Sequence, residues 1–278
     1  MKLDVRDFIK IRDFIYKQSG LFFEEKKIYF VKKRLAIRMD ALGISTPKEY
    51  LWLLKYGDSH GKELQQLINL LTTNETYFFR EFDQLVVFAE NCLQEICEMK
   101  EQNNDKRIKI WSAGCSSGEE PYTLSIILLE MLDRYHSWDV EILASDIDTE
   151  ILQKAQAGVY TKRSIKDVPE EYLEKYFIRG GDNYKVKFTV KRPVKFRHLN
   201  LMDEKKMRLI TGMDFIFCRN VLIYFDEVSR RSVVSNFYDS LNNGGYIFLG
   251  HSESMSRIST AFTLRRKNGF IVYQKLED

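Results

Sequence analysis

With 278 residues, 44% of them hydrophobic and 13% aromatic, the chain has material for one substantial core and a smaller appended domain. Its opening residues, MKLDVRDFIKIRDF, lack the continuous apolar stretch of a secretion signal, and the most apolar run, Leu124 to Leu132, is interrupted by Ser125 and Glu130. That run falls far short of the roughly 20 residues of a membrane span, so a soluble cytoplasmic protein with no direct membrane insertion is expected. The scattered cysteines (92, 97, 115, 218) and histidines (60, 136, 198, 251) point to no disulfide framework and no metal site.

The net charge of +3 is unevenly distributed: residues 1–57 hold 13 Lys or Arg against 7 Asp or Glu, a surplus of +6, which leaves the remainder at −3. An acidic partner for the amino end is one reading of that surplus, and an ordinary solvated face is the other. Residues 1 to about 71 read as short helices divided by turn signals at Ser19-Gly20, at Gly43 through Pro47 and at Gly57 through Gly61. In the most basic of them, Ile28, Val31, Leu35 and Met39 form one apolar stripe, with Lys32, Lys33 and Arg34 largely off it. A stronger helix follows, marked by Phe79, Phe82, Val86, Ala89, Leu93 and Ile96, and Thr72-x-x-Glu75 ahead of it has the form of a capping box. This reading divides the chain into a helical domain over 1–82, a linker helix over 83–106 and a larger domain over 107–278.

From residue 107 strands alternate with helices, the pattern of a parallel sheet covered on both faces. RIKIWSA, VEILASD, DFIFCRN and GGYIFLG are the strands; PYTLSIILLEML, EILQKAQAG up to Gly158, and Val228 to Leu241 are the helices. Between about 176 and 198, the turn Gly180-Gly181-Asp182-Asn183 and period-two alternation predict a small antiparallel insertion.

The first strand runs directly into Ser112-Ala113-Gly114-Cys115-Ser116-Ser117-Gly118 and then a helix, the place where nucleotide-type ligands meet a parallel sheet. Glycine at 114 lets backbone approach such a ligand closely. The loop departs from Gly-x-Gly-x-x-Gly, and Glu119 and Glu120 at the helix start would repel a pyrophosphate but suit a cationic sulfonium. Asp146 ends the second strand, with Asp148 just beyond, where an acid accepts hydrogen bonds from ribose hydroxyls. Taken singly, the loop is also a plain tight turn and the aspartate a plain helix cap. Cys115 and Cys218 read as small buried fillers, and Tyr77, Phe78 and Phe79 as core.

Five blocks together are far more specific: Thr72-Thr73-Asn74-Glu75-Thr76-Tyr77-Phe78-Phe79-Arg80-Glu81, WSAGCSSGEEPYTLSI, ASDIDTEILQKAQAGVY, FCRNVLIYF and GGYIFLGHSE. In this order, over nearly the whole chain, they closely resemble the chemotaxis receptor methyltransferases of the CheR family. The resemblance implies an α/β fold: a class I S-adenosylmethionine-dependent methyltransferase (Rossmann-like) sheet, a small all-α N-terminal domain and an inserted small antiparallel β-subdomain. It implies S-adenosyl-L-methionine as donor, S-adenosyl-L-homocysteine as product, and glutamate carboxylates on the cytoplasmic domain of a methyl-accepting chemotaxis receptor as acceptors, esterified for sensory adaptation. Carried over position by position, cofactor contacts are expected at Asn74, Thr76, Arg80, Gly114, Glu119 or Glu120, Asp146, Asn200, Leu201, Arg219 and Asn220, with Asn200 and Leu201 beside the adenine. Arg80 and Tyr224 are expected to position the acceptor, and Lys32, Lys33 and Arg34 to meet the receptor.

No general base is expected, since a glutamate with a pKa of about 4.3 is already ionised at neutral pH. Some relatives also tether a receptor tail peptide on the inserted sheet; the short Gly180 to Asn183 turn here argues against it. Two other readings stand beside this one. A nucleic-acid methyltransferase would suit the basic amino end, but prolines at 47, 121, 169 and 193 make neither an Asn/Asp-Pro-Pro-Tyr nor a Pro-Cys motif, so no nucleic-acid partner is expected. A non-catalytic ligand sensor would use the same pocket without turnover.

Overall fold

The computed structural model describes residues 3–276. Its amino-terminal part is built from α1 (Val5–Ser19), α2 (Ile28–Leu42), α3 (Pro47–Trp52) and α4 (Lys62–Leu71). The stripe on α2 is buried at Val31, Leu35 and Met39, in one cluster with Phe8, Ile11, Tyr50 and Leu67. Glu63 of α4 accepts two bonds from Arg38 of α2, at 2.9 and 2.6 Å, and one from the Tyr50 hydroxyl at 2.6 Å. A buried carboxylate satisfied on this many sides fixes which face of α2 points outward.

Residues 72–81 are not helical. Thr72 immediately follows α4, and the next helix starts at Phe82 behind a left-handed Glu81, so the expected capping box is absent. The physical reason is competition, because the Thr72 hydroxyl bonds Asp148 Oδ2 instead, at 2.8 Å. The linker then runs as α5 (Phe82–Val87), a π-helical turn over Phe88–Cys92, and α6 (Leu93–Gln102).

Next come β1 (Arg107–Ala113), α7 (Glu119–Met131), β2 (Asp139–Asp146) and α8 (Thr149–Ala157). A separate antiparallel sheet is built from β3 (Val159–Thr161) and, after α9 (Glu170–Tyr176), β4 (Phe177–Gly180) and β5 (Asn183–Val186), in the order β3-β5-β4. The short α10 (Phe188–Lys191) leads into β6 (Val194–His198), and α11 (Glu204–Met207), β7 (Met213–Cys218), α12 (Glu227–Ser240), β8 (Leu241–Leu249), β9 (Thr263–Lys267) and β10 (Phe270–Gln274) complete the chain. The insertion is therefore not confined to 176–198. It recruits β3 from upstream, whereas Val194–His198 pairs in parallel with β2, Ala144 opposite Phe196. Alternation in VKFRH reads the same for a half-exposed edge of a parallel sheet as for a hairpin strand, so period alone cannot separate them.

The main sheet has seven strands in the order β6-β2-β1-β7-β8-β10-β9, with β10 antiparallel to both neighbours. Alternation along the strands sorts two cores. Ile110, Phe215, Phe217 and Phe248 face Phe88 of the linker, whose ring meets Phe215 and Phe217 edge-on at 5.0 and 5.1 Å. On the other face Trp111 meets Phe237 of α12 at 5.1 Å. Because β1 lies between β2 and β7, the connections leaving these strands diverge and open a crevice at their carboxyl ends. No helix among the described residues is long and apolar enough to cross a membrane.

Candidate active site

That crevice is a cavity of about 250 Å³, walled by the 114–116 loop, Glu120 and Thr123 of α7, Asp146, residues 199–201, residues 219–221 and 223–225, and residues 71–77, 79 and 80. Ser19 and Leu21 from the end of α1 complete it, so the helical domain supplies one wall.

The loop after β1 is held against the end of β2. Gly114 and Cys115 donate to the Ser145 carbonyl at 2.8 and 2.9 Å, and Ser116 N–H donates to Asp146 Oδ2 at 2.8 Å. Gly114 has φ +80, and a Cβ there would sit 2.4 Å from Val221 Cγ2, so both its conformation and its surroundings demand glycine. Asp146 is buried, and that burial pushes its carboxyl up to about 6 against the opposing effect of amide donors from Asp148 and Ser116. At the start of α7, Glu120 accepts from Ser112 Oγ at 2.7 Å and faces the cavity, whereas Glu119 accepts from Ser117 Oγ at 2.6 Å and does not line it. Burial raises the Glu120 carboxyl, with Arg219 acting the other way.

The 72–81 segment crosses over this floor. Asn74 Nδ2 donates to Asp148 Oδ2 at 2.8 Å, and Asp148 Oδ1 caps α8 through Glu150 and Ile151. Phe79 N–H donates to Thr123 Oγ1 at 3.2 Å, anchoring the segment to α7. Arg80 curls back over Tyr77, its guanidinium donating to the Glu75 carbonyl at 2.7 Å. The helical domain is tied to both rims. Gln65 donates to the Ile147 carbonyl at 2.8 Å and Asn69 to Thr149 Oγ1 at 3.0 Å; opposite, Asn200 donates to the Gln18 carbonyl at 2.7 Å and Phe22 to the Tyr224 carbonyl at 3.0 Å.

Of the residues singled out in the sequence, Asn74, Thr76, Arg80, Gly114, Glu120, Asp146, Asn200, Leu201, Arg219, Asn220 and Tyr224 line one cavity. Glu119 does not, and Lys32, Lys33 and Arg34 lie away from it on α2. Tyr77 and Phe79, read as core, are partly cavity wall; Phe78 is fully buried, under the rings of Tyr160 and Phe177. Ser116 and Val221 were missed, and only the glycine beside them hinted at a close approach.

The residues present suit an adenosine-type sulfonium ligand. Three buried polar atoms of lining residues, Ser116 Oγ, Arg219 Nε and Asn220 Oδ1, have no hydrogen-bond partner, and the Glu120 and Asp146 carboxylates have lone pairs to spare. No histidine or lysine is among the cavity-lining residues.

Comparison with known proteins agrees. Residues 74–270 match the family described as CheR methyltransferase, SAM binding domain, and residues 6–72 match CheR methyltransferase, all-alpha domain. Chemotaxis protein methyltransferase 2 of Vibrio cholerae serotype O1 is 46% identical over 261 residues, covering 94% of this chain and 89% of that protein. The chemotaxis protein methyltransferases of Borreliella burgdorferi and Escherichia coli K12 are 36% and 35% identical, covering 87% and 98% of this chain and 85% and 91% of theirs. With both of its parts matched and the cavity built at the junction between them, the chain belongs to the CheR family of methyltransferases and takes S-adenosylmethionine as its methyl donor.

Proposed function

We propose that this chain methylates side-chain carboxylates of glutamates on the cytoplasmic domain of a chemotaxis receptor, producing methyl esters. The observation that carries the reading is the junction cavity itself, in whose walls Arg80 supplies a cation and Tyr224 a polar edge for an anionic acceptor. An amine or hydroxyl acceptor would need a base, whereas a carboxylate is ionised already.

S-adenosylmethionine supplies an electrophilic methyl carbon on a positively charged sulfur. In this reading Asp146 accepts from ribose hydroxyls, Asn200 and Leu201 flank the adenine, and Glu120 faces a cationic end of the donor, all four being residues that line the cavity. Asn74 and Thr76 belong to the segment that lines the cavity after α4. Arg80 draws in the acceptor and orients it, and a tight clamp would blunt the attack by holding the charge that must be neutralised. Tyr224 contributes a second polar edge for the same purpose. The surplus charge of the amino end complements a glutamate-rich receptor, and Lys32 and Lys33 of α2 make no ion pair among the described residues. With Gly180 directly opposite Asn183, the β4–β5 turn is tight, which favours the receptor's helical region over a tail peptide as the partner.

Incubating the purified chain with methyl-labelled S-adenosylmethionine and a receptor cytoplasmic fragment should give label that is lost in mild alkali. Absence of label, or label that resists alkali, would overturn the reading.

A further inference from the structure

Arg80 is presented on an unfavourable turn. Phe79 and Glu81 on either side of it have φ 59 and 56, in the left-handed region that non-glycine residues seldom occupy. Something outside the turn must hold it, and the side chain of Arg219, from just beyond β7, is placed to do so. Its Nη2 donates to the Arg80 carbonyl, its Nε lies 3.5 Å from Glu81 Oε2, and its Nη1 lies 3.6 Å from Glu120 Oε2. Only 4% of this side chain is exposed. Neither Arg219 Nε nor Glu81 Oε2 has a hydrogen-bond partner, so these two act on each other through charge alone, at nearly the distance that separates Arg219 from Glu120. One guanidinium thus sits between a carboxylate inside the cofactor cavity and a carboxylate outside it. Glu81 lies in an outer groove with Phe82, Lys166 and Pro169 and does not line the cofactor cavity, and the exposed His251 stands 3.9 Å from its Oε2.

We infer that Glu81 is a positioning residue for methyl transfer: by balancing Arg219 against the pull of Glu120, it keeps that guanidinium on the Arg80 carbonyl and so fixes the turn that aims Arg80. Without the outer carboxylate, Arg219 is attracted inward to Glu120 alone, the carbonyl loses its donor, and the left-handed turn relaxes. The kinetic side of this inference rests on the proposed receptor substrate; the conformational side does not.

The test is Glu81→Gln, which keeps the volume and removes the charge. S-adenosylhomocysteine affinity by calorimetry and receptor KM should stay within about threefold of wild type, and kcat should fall at least tenfold, with Glu81→Asp recovering part of the loss. In the protein loaded with S-adenosylhomocysteine, amide exchange over residues 79–84 should accelerate about tenfold while the rest of the chain is unchanged. Unchanged kcat together with unchanged exchange would overturn the inference, as would a loss of product affinity in proportion to kcat, which marks a general lesion of the cavity. If Glu81→Gln does not fold, Arg219→Lys takes its place, because lysine keeps the charge but cannot span three partners; a retained kcat there overturns the inference. Should wild type methylate no receptor fragment while the exchange result holds, the substrate assignment falls and the positioning role stands.

Discussion

The amide of Ser116 donates to Oδ2 of Asp146 at 2.8 Å, which joins the loop after β1 to the end of β2 and leaves the carboxylate buried with its charge only partly compensated. Burial raises Asp146 from 3.8 to about 6, so between those values the folded state holds a proton that the unfolded state has released. The stability this contributes is present below about pH 4 and is lost as pH rises toward 6. Donor binding has the opposite sign. Ribose hydroxyls favour the ionised form, so affinity for S-adenosylhomocysteine should fall up to about tenfold per pH unit below 6, with proton release on binding near pH 6. Calorimetry at pH 5, 6 and 7.5 checks this; a flat profile would remove Asp146 from the ribose.

Gly114→Ala should cost at least tenfold in S-adenosylhomocysteine affinity and lower Tm by several degrees. The φ of +80 strains any other residue by about 1–3 kcal/mol, and the new methyl collides with Val221. Adding Val221→Ala removes the collision but not the strain, so the double variant should recover part of the Tm loss in a thermal melt.

Arg80→Ala should lower the single-turnover rate of methyl transfer about a hundredfold, in the range that loss of one well-placed polar group produces, with little change in Tm. Its guanidinium is partly exposed and bonds only the Glu75 carbonyl, so the fold does not depend on it. A near-normal rate in rapid quench would exclude it from the chemistry.

Paired reversal of Lys32 and Lys33 to Glu should raise receptor KM about tenfold at low salt, leave kcat and Tm alone, and flatten the salt dependence of KM. Arg34→Glu should also lower Tm, because Arg34 lies 3.9 Å over the Phe30 ring and donates to the Leu70 carbonyl. Steady-state kinetics at two ionic strengths with parallel melts separates binding from folding.

Much of this site is legible in the chain because it is local. RIKIWSA, the glycine loop and the helix behind it are contiguous, and the stripe through Val31, Leu35 and Met39 declares its buried face through period alone. What could not be read depends on partners distant in sequence. Thr72 has the form of a cap until Asp148 claims its hydroxyl, Val194–His198 has the alternation of a hairpin until β2 takes it, and nothing near Glu81 announces an arginine 138 positions away. The choice between Glu119 and Glu120 is of the same kind, since neighbours on a helix differ by 100° and only the tertiary setting says which one faces the cavity.

Because Ser19, Leu21 and Leu71 wall the cavity and Gln65, Asn69, Gln18 and Phe22 fasten the helical domain to opposite rims, that domain is part of the cavity itself. A chain shortened to residues 72–278 would be left with an open trough instead of a slower enzyme. Donor affinity therefore depends on those fastenings, and a change at Gln65, Asn69 or Asn200 reaches the cavity without touching its floor.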